Sequence, residues 1–189
     1  FRIGYLEEDD EGKQSFNSFV GKEFFSKILN VLQTNKSWLS KERKVTKDYF
    51  SNGMRLSVDC NGNKTCIKKI KLHTLDFRFG DTPFDVRVCF SKETPINVSE
   101  FKPVKKSIYC REKDRMSYKH KCWFYDITNV KTTDNTIEDT DYEFELECNI
   151  TEALKTMKPF YIIHSSLLKI KDVVNMCETV VDEAKLELY

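Results

Sequence analysis

The chain has 189 residues and a mass of 22.3 kDa, a length that suits one domain with its own core rather than two. Apolar residues at 40% and charged residues at 32% exclude a disordered tail and a helical membrane protein, and no apolar run approaches the ~20 residues of a spanning helix. With 31 Lys+Arg against 30 Asp+Glu the formal charge is +1, so no bulk basicity marks nucleic-acid binding, and any phosphate ligand must be met by charges sorted in space.

The chain enters on the alternation Phe1-Arg2-Ile3-Gly4, a strand already under way, and the sequence is expected to start inside a longer protein. The acidic run Glu7-Glu8-Asp9-Asp10-Glu11 reads as a solvated loop. From about Ser15 to Leu32, Phe19, Phe24, Phe25, Ile28, Leu29 and Leu32 recur at helical spacing and predict an amphipathic helix. From about Asp48 to Cys148 the period becomes two. Candidate strands are Gly53–Asp59, Thr65–Leu75, Phe84–Ser91, Lys105–Arg115, Lys119–Thr128 and Tyr142–Cys148. Turn signals stand at Asn61-Gly62-Asn63, Gly80-Asp81-Thr82-Pro83 and Thr132–Asp141. A second helix is predicted from Ser165 to Val181, capped by Ser165 or Ser166, with Leu167, Leu168, Ile170, Val173, Val174 and Cys177 on its apolar side. With no internal repeat and no domain boundary, residues 1–189 read as one α+β, β-rich domain: a large antiparallel sheet braced by helices.

Seven cysteines (60, 66, 89, 110, 122, 148 and 177) form no C-x-x-C pair, and the four N-x-[ST] triplets at Asn35, Asn63, Asn97 and Asn149 come without a signal-peptide-like stretch. The expected setting is therefore intracellular and reducing.

The chemistry is concentrated in Tyr142-Glu143-Phe144-Glu145-Leu146-Glu147-Cys148. Strand side chains alternate, so Glu143, Glu145 and Glu147 share one face, with neighbouring carboxylates roughly 6–7 Å apart. At an effective dielectric near 20 each such pair repels by about 2–3 kcal/mol, and in open water by about 0.6 kcal/mol. A solvated outer face would tolerate the row, and for an isolated E-x-E-x-E that is the ordinary reading. Other strands, however, carry the opposite charge at the same period. Lys113 shares a face with Arg115, Arg87 shares one with Cys89, Ser91 and Glu93, Arg55 is the cation of its strand, and Lys69 and Lys71 alternate with Ile70 and Leu72. If these faces point inward, the sheet closes into a barrel with carboxylates on one wall and cations on the others, a cavity suited to a divalent metal and a polyphosphate.

The Y-E-F-E-L-E run, K-D-R-x-S-Y at Lys113–Tyr118 and F-D-x-R-V-x-x-S-x-E-x-P at Phe84–Pro95 together resemble the metal-dependent RNA triphosphatases of fungal and viral mRNA capping, a branch of the triphosphate tunnel metalloenzymes. Among branches, the Asn- and Lys-rich composition resembles most the capping enzymes of giant DNA viruses such as mimivirus. The resemblance implies a closed eight-stranded antiparallel β-barrel flanked by helices. It also implies hydrolysis of the γ-phosphate of 5′-triphosphate RNA with Mg²⁺ or Mn²⁺. Glu145 and Glu147 would then be metal ligands, Glu145 would orient or deprotonate the attacking water, and Glu143 would orient neighbouring cations. Arg55, Arg87, Lys113 and Arg115, with Lys69, would hold the triphosphate, and Glu93 and Asp126 would position those cations or the water. Its implied partners are the 5′-triphosphate end of nascent RNA, nucleoside triphosphates as side substrates, and a covalently linked guanylyltransferase, with a methyltransferase beyond it. The implied location is a virion or cytoplasmic viral factory, with no membrane.

Two positions depart from the family pattern. Its first motif, E-x-E-x-[RK]-x-G, is present only from Phe1-Arg2-Ile3-Gly4 onward, so both glutamates are expected upstream of Phe1. Two residues before Asp126, fungal members carry an arginine where this chain has Phe124, with Lys119 or Lys121 as candidate replacements.

Other chemistries lack their residues. His73, His120 and His164 show no zinc-ligand spacing, and G-x-x-x-x-G-K-[ST], G-x-S-x-G and the K-x-D-G of guanylyltransferases are absent. Trp38 and Trp123 read as packing residues rather than base-stacking platforms. Two further functions stay open: a tunnel enzyme acting on free tripolyphosphate or nucleoside triphosphates, and a non-catalytic RNA- or protein-binding module with the same fold.

Overall fold

A computed structural model describes residues 1–80, 82–102, 109–134 and 137–186, and the side chains of residues 134, 137, 138 and 178–186 are not described. In chain order the elements are β1 (Arg2–Glu8), β2 (Gln14–Asn17), α1 (Lys22–Thr34), β3 (Ser40–Ser51), β4 (Met54–Asp59), β5 (Lys64–Arg78), β6 (Asp85–Ile96), a 3₁₀ turn (Val98–Glu100), β7 (Tyr109–His120), β8 (Trp123–Asp134), β9 (Ile137–Cys148), α2 (Ile150–Ala153) and α3 (Pro159–Leu186). The strands run in the order β2-β1-β6-β5-β4-β3-β7-β8-β9, and β1 also pairs with β9. Eight antiparallel strands thus close into a barrel, and β2 hangs from β1 as a ninth, short strand. This is the fold the resemblance implies.

Tight two-residue turns join three of the long strands. Asn52 and Gly53 have φ of 48° and 72° between the paired residues Ser51 and Met54, the left-handed conformation a right-twisted hairpin needs. Lys121 has φ of 55° in the turn that joins β7 to β8, whose flanking partners are His120 and Trp123.

The apolar core lies outside the barrel. The outer faces of β1, β6, β7, β8 and β9 bring Ile3, Val86, Tyr118, Trp123, Ile127, Phe144 and Leu146 beneath α1 and α3. α1 covers them with Ile28 and Leu32, and α3 with Ile162, Ile170, Val173, Val174 and Cys177. Both tryptophans belong to this packing: Trp38 donates to Leu32 O (2.7 Å) and Trp123 to Ser166 Oγ (2.9 Å). No described helix is long and apolar enough to cross a membrane.

Several expectations need correction. Glu7 and Glu8 belong to β1 and pair with Ser15 and Gln14, so the acidic loop shrinks to the tip of a hairpin. Residues Gln14–Asn17 are therefore strand, and the first helix starts only at Lys22. β3 runs from Ser40 although its first half is almost entirely charged. The predicted strands 105–115 and 119–128 are two long hairpin strands that meet at Lys121-Cys122; residues 105–108 lie outside the described residues, as do Asp81 and residues 135–136 of two predicted turns. α3 begins at Pro159, so Ser166 is no cap: it sits buried inside the helix and donates to Ile162 O (2.7 Å).

Candidate active site

The register decides which side chains face inward. Arg2 stands opposite both Glu145 and Arg87, Glu145 opposite Asp126, and Asp126 opposite Ser117. Because cross-strand partners share a face, the glutamate row of β9, Asp126 and Thr128 of β8, Arg111, Lys113 and Arg115 of β7, and Asp48 of β3 all line one enclosed wall. Glu143, Glu145 and Glu147 therefore share the inner face, the first two against positive partners.

Arg115 holds the middle of this wall. It donates to Asp126 (2.7 Å) and Thr128 (3.1 Å) and reaches Glu145 at 3.8 Å, while Ser117 donates to the second Asp126 oxygen (2.6 Å). Arg2 meets Glu145 from the other side at 3.3 Å. Burial alone would raise the Glu145 carboxyl, but the two guanidiniums pull it down to about 2. Glu143 accepts from Arg111 (2.9 Å) and Ser18 (3.1 Å).

Glu147 differs from both. Among the described residues it has no ion pair; although it remains exposed, partial desolvation within the wall, helped by the charges of Glu145, Asp126 and Glu93, raises its carboxyl above the ordinary range. Burial likewise raises Asp126, which Arg115 and Ser117 do not fully offset.

Further along the same wall, Lys113 donates to Asp48 (2.6 Å), both nearly buried. Burial pushes the Lys113 ammonium down against the pull of Asp48, with Arg111 and Arg55 adding to the fall. The second Asp48 oxygen is buried without a hydrogen-bond partner. Lys113 and Arg115 join Lys44, Thr46, Asp48, Arg55 and Ser57 around a slot of ≈ 90 Å³, room for a few waters or a phosphate group. Glu93 accepts from Lys69 at 3.1 Å and faces Arg55 at 3.9 Å. Arg87 is engaged elsewhere: it grips Asp76 with two hydrogen bonds of 2.7 Å, and its guanidinium lies 4.7 Å from the Phe16 ring centre.

Every residue singled out in the sequence thus faces the interior, in four neighbourhoods: Glu145, Glu147, Asp126 and Arg115; Glu143 with Arg111; Lys113 with Arg55 across the slot; and Lys69 with Glu93. Arg87 is the outlier, bound to Asp76. At the position expected to hold an arginine, Phe124 shares the inner face with Glu147 and Lys119, and Lys119 Nζ sits 5.4 Å from its ring centre, whereas Lys121 occupies the turn. Sequence reasoning missed Arg2, Lys44, Asp48 and Arg111. The period-two pattern of β7 already places Arg111 beside Lys113; Lys44 and Asp48 stay hidden because the candidate strands begin only at Gly53 and β3 is not among them.

The family model described as "mRNA capping enzyme, beta chain" matches residues 10–183. Among solved structures, the S. pombe Pct1 RNA triphosphatase superposes with a TM-score of 0.72 at 19% identity, over 92% of this chain and 82% of that one. Pct1 in complex with the Spt5 CTD superposes with a TM-score of 0.66 at 21% identity, over 92% and 76%. No curated protein matches the chain.

Proposed function

We infer the activity from one premise: the chain belongs to the family of the mRNA capping enzyme beta chain. It hydrolyses the γ-phosphate of 5′-triphosphate RNA and leaves 5′-diphosphate RNA, the first step of cap formation, and so is a polynucleotide 5′-phosphatase. The observation that carries this reading is the closed tunnel itself, whose inner wall sets Lys44, Arg55, Lys113 and Arg115 around one slot beside the glutamates of β9.

A divalent cation fits the carboxylate end of that wall. Glu147 is a carboxyl surrounded by other carboxyls without a counter-charge of its own, and a bound cation would offset that repulsion. Hard cations at phosphoryl-transfer centres are held by one or two carboxylates, with phosphate and water completing the shell. Glu145 and Glu147 would hold the ion, Mg²⁺ or Mn²⁺. When bound, it would supply Lewis-acid polarisation of a phosphate oxygen.

The chain's own residues do the rest. Lys113, Arg115, Arg55 and Lys69 neutralise charge spread over the phosphoryl oxygens, because phosphoryl transfer needs mainly positioning and electrostatic stabilisation. Asp126 fixes the Arg115 fork, Glu93 fixes Lys69 and Arg55, and Glu143 fixes Arg111. Glu145, held ionised by Arg2 and Arg115, orients the attacking water as a hydrogen-bond acceptor. The diphosphate end is the substrate form a guanylyltransferase takes, and its covalent linkage to this chain, with a methyltransferase beyond, is part of the proposal.

Phosphate release measured side by side on 5′-triphosphate RNA, ATP and tripolyphosphate, with Mg²⁺ or Mn²⁺, tests the reading. RNA should be the preferred substrate, and Lys113→Ala and Arg115→Ala should each lower kcat/KM about a hundredfold in folded protein. Preference for tripolyphosphate makes the chain a free-triphosphate hydrolase; release from no substrate by folded protein makes it a binding module.

A further inference from the structure

A cavity beside the charged slot is not used by the reaction as described, although Arg55 and Lys69 border it. It lies at the mouth formed by the β3–β4 hairpin, has a volume of ≈ 350 Å³, and is bounded by Phe50, Met54, Arg55 and Lys69 with the Asn52-Gly53 turn. Its size falls in the range of small-molecule sites. The register explains its chemistry: Phe50 stands opposite Arg55 and shares the inner face with Asp48, two residues earlier. Arg55 is a wall common to this cavity and to the charged slot, and its Nε is buried with no hydrogen-bond partner.

Phe50 is an aromatic ring set among charged inner positions. It remains 38% exposed and meets the 40%-exposed Tyr109 at 5.6 Å between ring centres. Neither ring belongs to the core, which lies beyond the opposite face of the wall. The cavity adjoins the rest of the site: Arg55 lines both it and the charged slot, and Glu93 binds Lys69 and faces Arg55. A phosphate slot on one side of a shared arginine and an apolar ring on the other match the two halves of a nucleotide.

We propose that this cavity seats the 5′-terminal nucleoside of the RNA, with its base stacked on Phe50 and Arg55 holding the phosphate nearest the ribose. The proposal rests on the triphosphatase reading and names how that site recognises its substrate. Every base has a π face, so stacking accepts any first nucleotide while favouring a nucleoside-bearing substrate over inorganic tripolyphosphate.

The test compares kcat/KM for 5′-triphosphate RNA with that for tripolyphosphate. Phe50→Ala and Phe50→Leu should lower the RNA-to-tripolyphosphate ratio about tenfold, within the range of a lost base–aromatic stack. Phe50→Trp should retain the ratio, since it keeps the ring. A readout that needs no turnover is the fluorescence of 5′-triphosphate RNA carrying 2-aminopurine as its first base. It should be quenched on binding to the unmodified chain and to Phe50→Trp, and not on binding to Phe50→Leu. An unchanged ratio in Phe50→Ala, absence of quenching, or a ratio that moves with Phe124→Ala instead would overturn the proposal. Failure of all phosphate release would sink the triphosphatase reading separately, while the quenching arm still decides the cavity.

Discussion

Glu145 and Glu147 stand two residues apart on one strand, yet their carboxyls sit in opposite fields. Arg2 and Arg115 hold Glu145 at about 2 against an ordinary 4.5, a difference worth roughly 3 kcal/mol of folding stability at neutral pH. Glu145→Gln should lose about that much in urea unfolding. Glu147 is raised by its neighbours, so Glu147→Gln removes a repulsion. It should keep or raise Tm in chelator while lowering phosphate release about a hundredfold; a Tm fall as large as that of Glu145→Gln would refute this contrast. The Asp48–Lys113 pair, two strands away, sets a pH dependence. Burial opposes ionisation of Asp48, but the charge and hydrogen bond of Lys113 outweigh it and leave the carboxyl below its ordinary 3.8. The folded state therefore binds fewer protons than the unfolded one as pH falls through this region. That stabilisation is complete above pH 3.8 and disappears as pH falls toward the lowered value. Asp48→Asn should flatten the acid limb of a Tm-against-pH profile in that window, with little change in its slope above pH 5.

At the scale of elements, what was legible depended on whether one face of a segment was apolar. β9 declared itself because Phe144 and Leu146 alternate with glutamates, and β6 because Val86 and Val88 alternate with Arg87 and Cys89. β3 is absent from the candidate strands, and its first half, Ser40-Lys41-Glu42-Arg43-Lys44, is polar on both sides: Lys44 and Glu42 face the tunnel, while Lys41 and Arg43 face solvent, and Arg43 pairs with Asp114 at 2.7 Å. Hydrophobic periodicity has no purchase on such a strand. Residues Gln14–Asn17 were absorbed into a helix because Phe16, Phe19 and Val20 fit either period over so short a stretch; tertiary pairing with β1 decided it. The site was legible as faces, through period-two charge, but its pairings were not, since register joins residues up to 143 apart in sequence, as in Arg2 with Glu145. Gly4 illustrates a position only the assembled sheet explains. A Cβ there would lie 2.0 Å from Asn17 O of the adjoining β2, so Gly4→Ala must push β2 away. It should cost about 1–3 kcal/mol, measurable by thermal unfolding, and a neutral result would mean that β2 contributes little to the sheet.

For the molecule as a whole, closure of eight strands removes the open edges that a sheet this polar would otherwise present on both sides. It also confines charges of both signs, so their balance should be sensitive to an added cation. Saturating Mn²⁺ or Mg²⁺, at ~100-fold over its dissociation constant, should stabilise the fold by about 2.7 kcal/mol and raise Tm by roughly 5–10 °C. Glu147→Gln should abolish most of that rise in differential scanning calorimetry; a full rise in the variant would place the ion elsewhere. The apolar core, meanwhile, sits between the outer wall and the helices α1 and α3, remote from the inner face. Foundation and workshop are therefore on opposite sides of one layer of strands. Inner positions outside the paired charges can change without disturbing the apolar packing of the outer scaffold, which leaves this architecture room to adapt toward other phosphorylated substrates.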